Sequence, residues 1–62
     1  MSKQGEVIAK FYTVSEVASL LAVSARTVRR WIENGKLVAH KFGVVVRIAE
    51  VDLKAFIRTY RG

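Results

Sequence analysis

Two amphipathic stripes lie about three residues apart in this chain, and that closeness restricts the fold more than any other feature. Both fall in residues 13–35, TVSEVASLLAVSARTVRRWIENG. Val14, Val17, Ala18 and Leu21, with Leu20 beside them, recur at three- and four-residue steps, the spacing of one helix face. Thr13 stands where an N-cap belongs and Glu16 follows three residues later, so the pair predicts a capping box. Ser24 is a second N-cap. Val28, Trp31 and Ile32 then form a second stripe that ends at Asn34-Gly35, where glycine suits the left-handed closing position. Two helices joined by so short a link must turn steeply against each other, and Ala18 and Ala22 are small enough for the close approach.

The rest of the second helix is basic. At about 100° per residue, Val28, Trp31 and Ile32 point one way and Arg26, Arg30 and Glu33 the other, with Thr27, Arg29 and Asn34 on the flanks. On an isolated helix this would read as a solvated polar face. In a helix-turn-helix pattern it reads as a surface for DNA. Arginine suits that task because its planar fork bonds guanine O6 and N7 together or clamps a phosphate. Arg26 and Arg30, one turn apart, are the central pair. Trp31 is expected to be buried between the second helix, the first helix and the segment that follows.

Composition agrees. Eleven Lys and Arg against five Asp and Glu leave a net charge of +6 on 62 residues, a field that attracts polyanions. Basic membrane-surface proteins share this property, so charge alone does not decide. The length makes one domain, of a size that hides only ~60% of its unfolded surface, but 52% of its residues are hydrophobic and can fill a small core. With no cysteine and one histidine, neither a disulfide nor the usual zinc sites can form. No apolar run approaches the ~18 residues of a membrane span. Residues 1–12 lack the apolar core of a signal peptide, and the cytoplasm is the expected compartment.

Residues 1–11 carry no period long enough to define an element and form an expected, partly mobile N-terminal segment; the folded domain is expected over 12–62. Val7, Ile8, Phe11 and Tyr12 are candidates to cover the core edge, and Lys3 and Lys10 could make a basic arm. After Gly35 the period becomes two. Leu37 to Lys41 and Val44 to Ile48 read as strands around Phe42-Gly43. Val44, Val46 and Ile48 share one face, read as core, and Val45 and Arg47 the other. Val45, if exposed, is a candidate protein contact. Glu50 to Tyr60 predicts a third helix with an apolar stripe of Val51, Leu53, Phe56, Ile57 and Tyr60, with acids early and Arg58 and Arg61 late. The expected fold is α+β: a small winged helix-turn-helix with a two-stranded wing hairpin and a C-terminal helix.

The run YTVSEVASLLAVSARTVRRWIENGKLVAHKFG, followed by RIAEVDLKAFI, resembles the excisionase-type and MerR-like DNA-binding domains. Their pattern is an aromatic and a Thr-x-x-Glu-Ala-Ala-like first helix, Val-Ser-x-x-Thr-Val-x-x-Trp-Ile, Gly-x-Leu-x-Ala, a Gly-containing wing, and Asp-Leu-x-x-Phe. Here these fall at Tyr12 to Ala18, Val23 to Ile32, Gly35 to Ala39, Phe42-Gly43 and Asp52 to Phe56, across about fifty residues. The resemblance implies a second helix in the major groove and a wing on the backbone or the adjacent minor groove. By position it implies a groove set of Ser24, Arg26, Thr27, Arg29 and Arg30 and a wing set of His40, Lys41 and Arg47. The chain departs from the family after the wing glycine, where Val44, Val45 and Val46 replace the usual basic residues. That weakens the case for an electrostatic grip at the wing tip.

The chain ends soon after the third helix, leaving no expected effector pocket or long dimerisation helix. Within the family this implies an excisionase, a recombination directionality factor of a phage or integrative element, bacterial or phage-encoded and nucleoid-associated. Such a protein would be a monomer in solution. It would bind tandem sites on double-stranded DNA, associate head to tail and bend the DNA for a tyrosine or serine recombinase acting as integrase. The alternative is a small MerR-like transcriptional regulator at a promoter. A module whose basic face meets an acidic protein is the reading from another class. No enzyme, cofactor, metal, membrane or small-molecule ligand is expected. His40 reads as a wing surface residue, and the acids are accounted for by helix ends.

Overall fold

Thr13 and Ser24 start the two expected helices through their side chains. The computed structural model, which describes residues 10–60, places strand β1 (Phe11–Tyr12), helix α1 (Val14–Leu21), helix α2 (Ala25–Glu33), strand β2 (His40–Phe42), strand β3 (Val45–Ala49) and helix α3 (Glu50–Tyr60) in that order. The Thr13 hydroxyl accepts the Glu16 N–H at 2.9 Å, and the Glu16 carboxylate accepts the Thr13 N–H at 2.8 Å, completing the capping box. The expectations for Lys3, Val7, Ile8 and Arg61 lie outside the described residues.

Both helices close in the same way. Ala22 is left-handed at φ 57 and ψ 44, and the Val23 N–H returns to the Ala18 carbonyl at 2.9 Å. Gly35 takes φ 76, and the Lys36 N–H returns to the Trp31 carbonyl at 2.9 Å. These are Schellman closures, which reverse the chain within one residue. Ala22 is exposed and is not the small residue of a helix crossing. Its place is the turn itself, where a Cβ is disfavoured. Ala18 is the buried one of the two, on the face of α1 that meets the core.

The strands form an antiparallel sheet in the order β1-β3-β2. The expected two-stranded wing is therefore extended by β1, whose Phe11 and Tyr12 pair with Ala49 and Ile48. A two-residue segment has no period to read, so its strand character comes only from its partner. The hairpin loop is Gly43-Val44, one residue later than expected. Gly43 has φ 71 and Val44 a negative φ, the φ pattern of a type II′ turn, whose twist matches that of the strands. This shift leaves Val44 97% exposed at the tip, so it is not core. Leu37 is not in a strand. It is a buried residue of the segment between α2 and β2.

Val17, Ala18, Val28, Leu37, Ile48, Leu53 and Phe56 make one core that draws on every helix and on β3. Trp31 is half-buried and packs on α3 rather than on the hairpin. Its ring lies 4.8 Å from Phe56 and 5.6 Å from Tyr60, centroid to centroid. This aromatic cluster ties α2 to α3. Val51 is exposed because it stands two residues before Leu53, on the opposite side of α3.

Replacing Ala22 with Gly removes a Cβ from a left-handed position and should raise stability by up to ~1 kcal/mol. For a domain of this size that is an increase in Tm of about 4–8 °C per kcal/mol. Thermal unfolding followed by circular dichroism checks it, and a lower Tm would mean that Ala22 does not hold this conformation.

Candidate nucleic-acid interface

The sharp link at Ala22 to Ser24 holds α2 against α1 with only one side of α2 covered. Val28 is fully buried and Ala25, Trp31 and Ile32 are half-buried, while Arg26, Arg29, Arg30 and Glu33 are exposed. The three guanidinium groups thus share one helix surface. The ion pair among the described residues joins His40 and Asp52, so none of these arginines is held by a described carboxylate.

Ser24 and Thr27 sit at the start of this surface with their side chains engaged. The Ser24 hydroxyl accepts the Thr27 N–H at 3.1 Å, and the two hydroxyls lie 3.0 Å apart. Ser24 is thus the N-cap that fixes where the arginine surface begins.

The hairpin divides the expected wing residues between its two faces. Lys41 opposes Val46, and together with Val44 they line a recess shared with Arg29, Ile32 and Glu33 of α2 and with Val14 of α1. Lys41 and Arg29 therefore flank one recess. His40 opposes Arg47 on the other face, by the alternation of strand side chains. His40 Nε2 lies 3.0 Å from Asp52 Oδ2 on α3, and Arg47 Nη1 donates to the Val46 carbonyl at 2.9 Å. Phe11 meets His40 and Phe42 edge-on at 5.8 and 5.9 Å on that same face, where Phe11, Phe42 and Val45 remain exposed. Reading the wing as a linear basic set missed this split. The two-residue alternation alone separates Lys41 from His40, but the pairing register decides which face meets α2.

Asp52 therefore holds the wing histidine besides lying in the first turn of α3. Glu50 accepts the Tyr12 hydroxyl at 3.3 Å, anchoring β1 to the same turn. Among the described residues no group of three or more His, Asp or Glu is placed to hold a metal ion, and no helix is long and apolar enough to cross a membrane.

Residues 11–61 match a family described as helix-turn-helix domain. The chain is also 47% identical over 45 residues to the uncharacterized protein YvgK of Bacillus subtilis strain 168, an overlap of 73% of this chain. It spans only 15% of the length of that relative. No solved structure matches it.

Ser24→Ala should cost about 1 kcal/mol through loss of the cap. The mutant should lose Tm accordingly, and an unchanged Tm would show that the Ser24 hydroxyl does not support α2.

Proposed function

The chain belongs to the helix-turn-helix domain family, which comprises excisionase-like small DNA-binding domains, and on that premise we propose that it is an excisionase-type architectural protein. DNA binding itself follows from the family. The exposed arginine surface of α2 carries the finer reading. Arg26, Arg29 and Arg30 stand together on the one element that a helix-turn-helix inserts into the major groove. Lys41, which lines the same recess as Arg29, is assigned to the phosphate backbone next to that groove. Ser24 and Thr27, at the start of α2, are assigned to the backbone beside it, and His40 and Arg47 belong to the outer face of the wing.

In this reading Arg26 and Arg30 read base edges, while Arg29 and Lys41 hold phosphates. The protein bends its site. Bending a short duplex costs roughly 1–6 kcal/mol, more than one small module readily offsets, so several copies share the load on tandem repeats. Two apolar surfaces support contact between neighbouring copies. One is the outer sheet face of Phe11, Phe42 and Val45, and the other is the groove of Leu20, Trp31, Ile57 and Tyr60. The bent array then serves an integrase of the tyrosine or serine class.

Replacing Arg26 or Arg30 with Ala should weaken specific binding by ~1–3 kcal/mol and leave the fold intact. Affinity within twofold of wild type for both single mutants would remove them from the base-reading role. Replacing Lys41 should instead lower affinity across sequences and flatten the salt dependence by about one ion.

Assembly is tested by gel shifts on duplexes carrying one, two and three direct repeats, with circular permutation for the bend. Cooperative gain and a bend are the expected results. Equal affinity per repeat on straight DNA would favour a promoter-binding regulator of the MerR-like kind.

A further inference from the structure

Strand β2 carries no core side chain. His40, Lys41 and Phe42 are all exposed, and the hairpin projects beyond Ile48, the fully buried residue of β3. A two-stranded ribbon is not rigid by itself. A contact outside the ribbon has to set its angle to the helices if Lys41 is to face α2 in one arrangement.

That contact is made by the first residue of β2. His40 Nε2 lies 3.0 Å from Asp52 Oδ2 in the first turn of α3. An ionised carboxylate only accepts, so Nε2 is the donor and is engaged within the fold. The ring also meets the edge of Phe11 at 5.8 Å, so His40 touches both β1 and α3. The two side chains of the pair are 45% and 27% exposed. A pair this open to water contributes little to stability, so its effect is on where the wing stands rather than on whether the domain folds. His40 and Lys41 are neighbours on a strand and point to opposite faces. Holding His40 against α3 therefore turns Lys41 toward the recess that it lines with Arg29.

Resting on the DNA-binding reading above, we propose that His40 is a positioning residue: by bonding Asp52 it braces the wing against α3, and so presents Lys41 with Arg29 as one cationic site for the phosphate backbone. The histidine acts through its neighbour and does not touch the DNA. The brace also gives Asp52 a role that its charge alone would not. Removing an acid from a basic protein strengthens the attraction for a polyanion. Electrostatics by itself therefore makes Asp52 a hindrance to binding. As the anchor of the brace, Asp52 supports binding instead. The two accounts differ in sign, and that difference separates them.

The test measures binding of the full chain to a short mixed-sequence duplex at fixed low salt, with circular dichroism to check that each variant is folded. Asp52→Ala should weaken binding by about threefold, although it makes the chain more positive. The loss caused by Lys41→Ala should be about threefold smaller in the Asp52→Ala background than in the wild type, because without the brace the lysine is no longer presented. His40→Gln, whose amide nitrogen reaches the place of Nε2, should keep most of the affinity. His40→Asn, one carbon shorter and equal in charge, should bind as weakly as Asp52→Ala. Backbone order parameters of residues 41–45 should fall in Asp52→Ala and His40→Asn while those of α2 stay unchanged. Affinity equal to or above wild type in folded Asp52→Ala, or an undiminished Lys41→Ala effect in that background, overturns the proposal. If Asp52→Ala does not fold, the two histidine variants carry the test, and equal affinities for His40→Gln and His40→Asn overturn it. Failure of the wild type to bind the duplex is a different result, which rejects the DNA-binding reading and this inference with it.

Discussion

Everything in this domain leans on the burial of Ile48 in the middle of β3. That strand pairs with β1 on one edge and β2 on the other, touches α1 and α3, and runs without a loop into α3. Ile48 is fully buried among Val17, Val28, Leu37, Leu53 and Phe56. A hairpin alone is not stable in water. Here the side chain that stabilises the hairpin is the same one that closes the helical core, so the wing and the helix-turn-helix cannot form independently. A chain of 62 residues has little core to spare, and sharing one strand between both parts is how a core this small serves two functions.

The same economy governs α2. Nine residues must bury enough to be held and expose enough to bind. Val28 meets the core, Trp31 reaches α3 through Phe56 and Tyr60, and the arginines take the remaining surface. The two Schellman closures matter because they spend no extra residues at either end of the helix. Ala22 carries a strained left-handed conformation at the first of them, and the short link it permits is what lets α2 project its arginines while α1 covers its back.

The wing is two surfaces. One looks across the recess toward α2 and holds Lys41, Val44 and Val46. The other carries Phe11, Phe42 and Val45 with the His40–Asp52 pair. The first belongs with the proposed DNA face and the second with the proposed contacts between copies. The proposed array needs both at once, and a two-stranded ribbon supplies them because alternate residues point to opposite sides.

The sequence by itself determined the two helix starts, the Gly35 stop, the third helix and the arginine surface. Each depends on neighbours within about four residues: Thr13 with Glu16, Ser24 with Thr27, Arg26 with Arg30. Local hydrogen bonding and helical period need no tertiary partner to be read. The features that escaped it all depend on a contact across the chain. Strand β1 exists because Phe11 and Tyr12 meet Ala49 and Ile48, the hairpin register moved Val44 from the core to the tip, and Trp31 turned to α3 rather than to the wing. Asp52 pairs with His40 twelve residues away for the same reason. Period two says that adjacent residues face opposite ways. Apolar alternation marks the Val46 and Ile48 face as the inner one, but where the chain reverses, and hence that Val44 stands at the tip, is decided only by the pairing of β2 with β3.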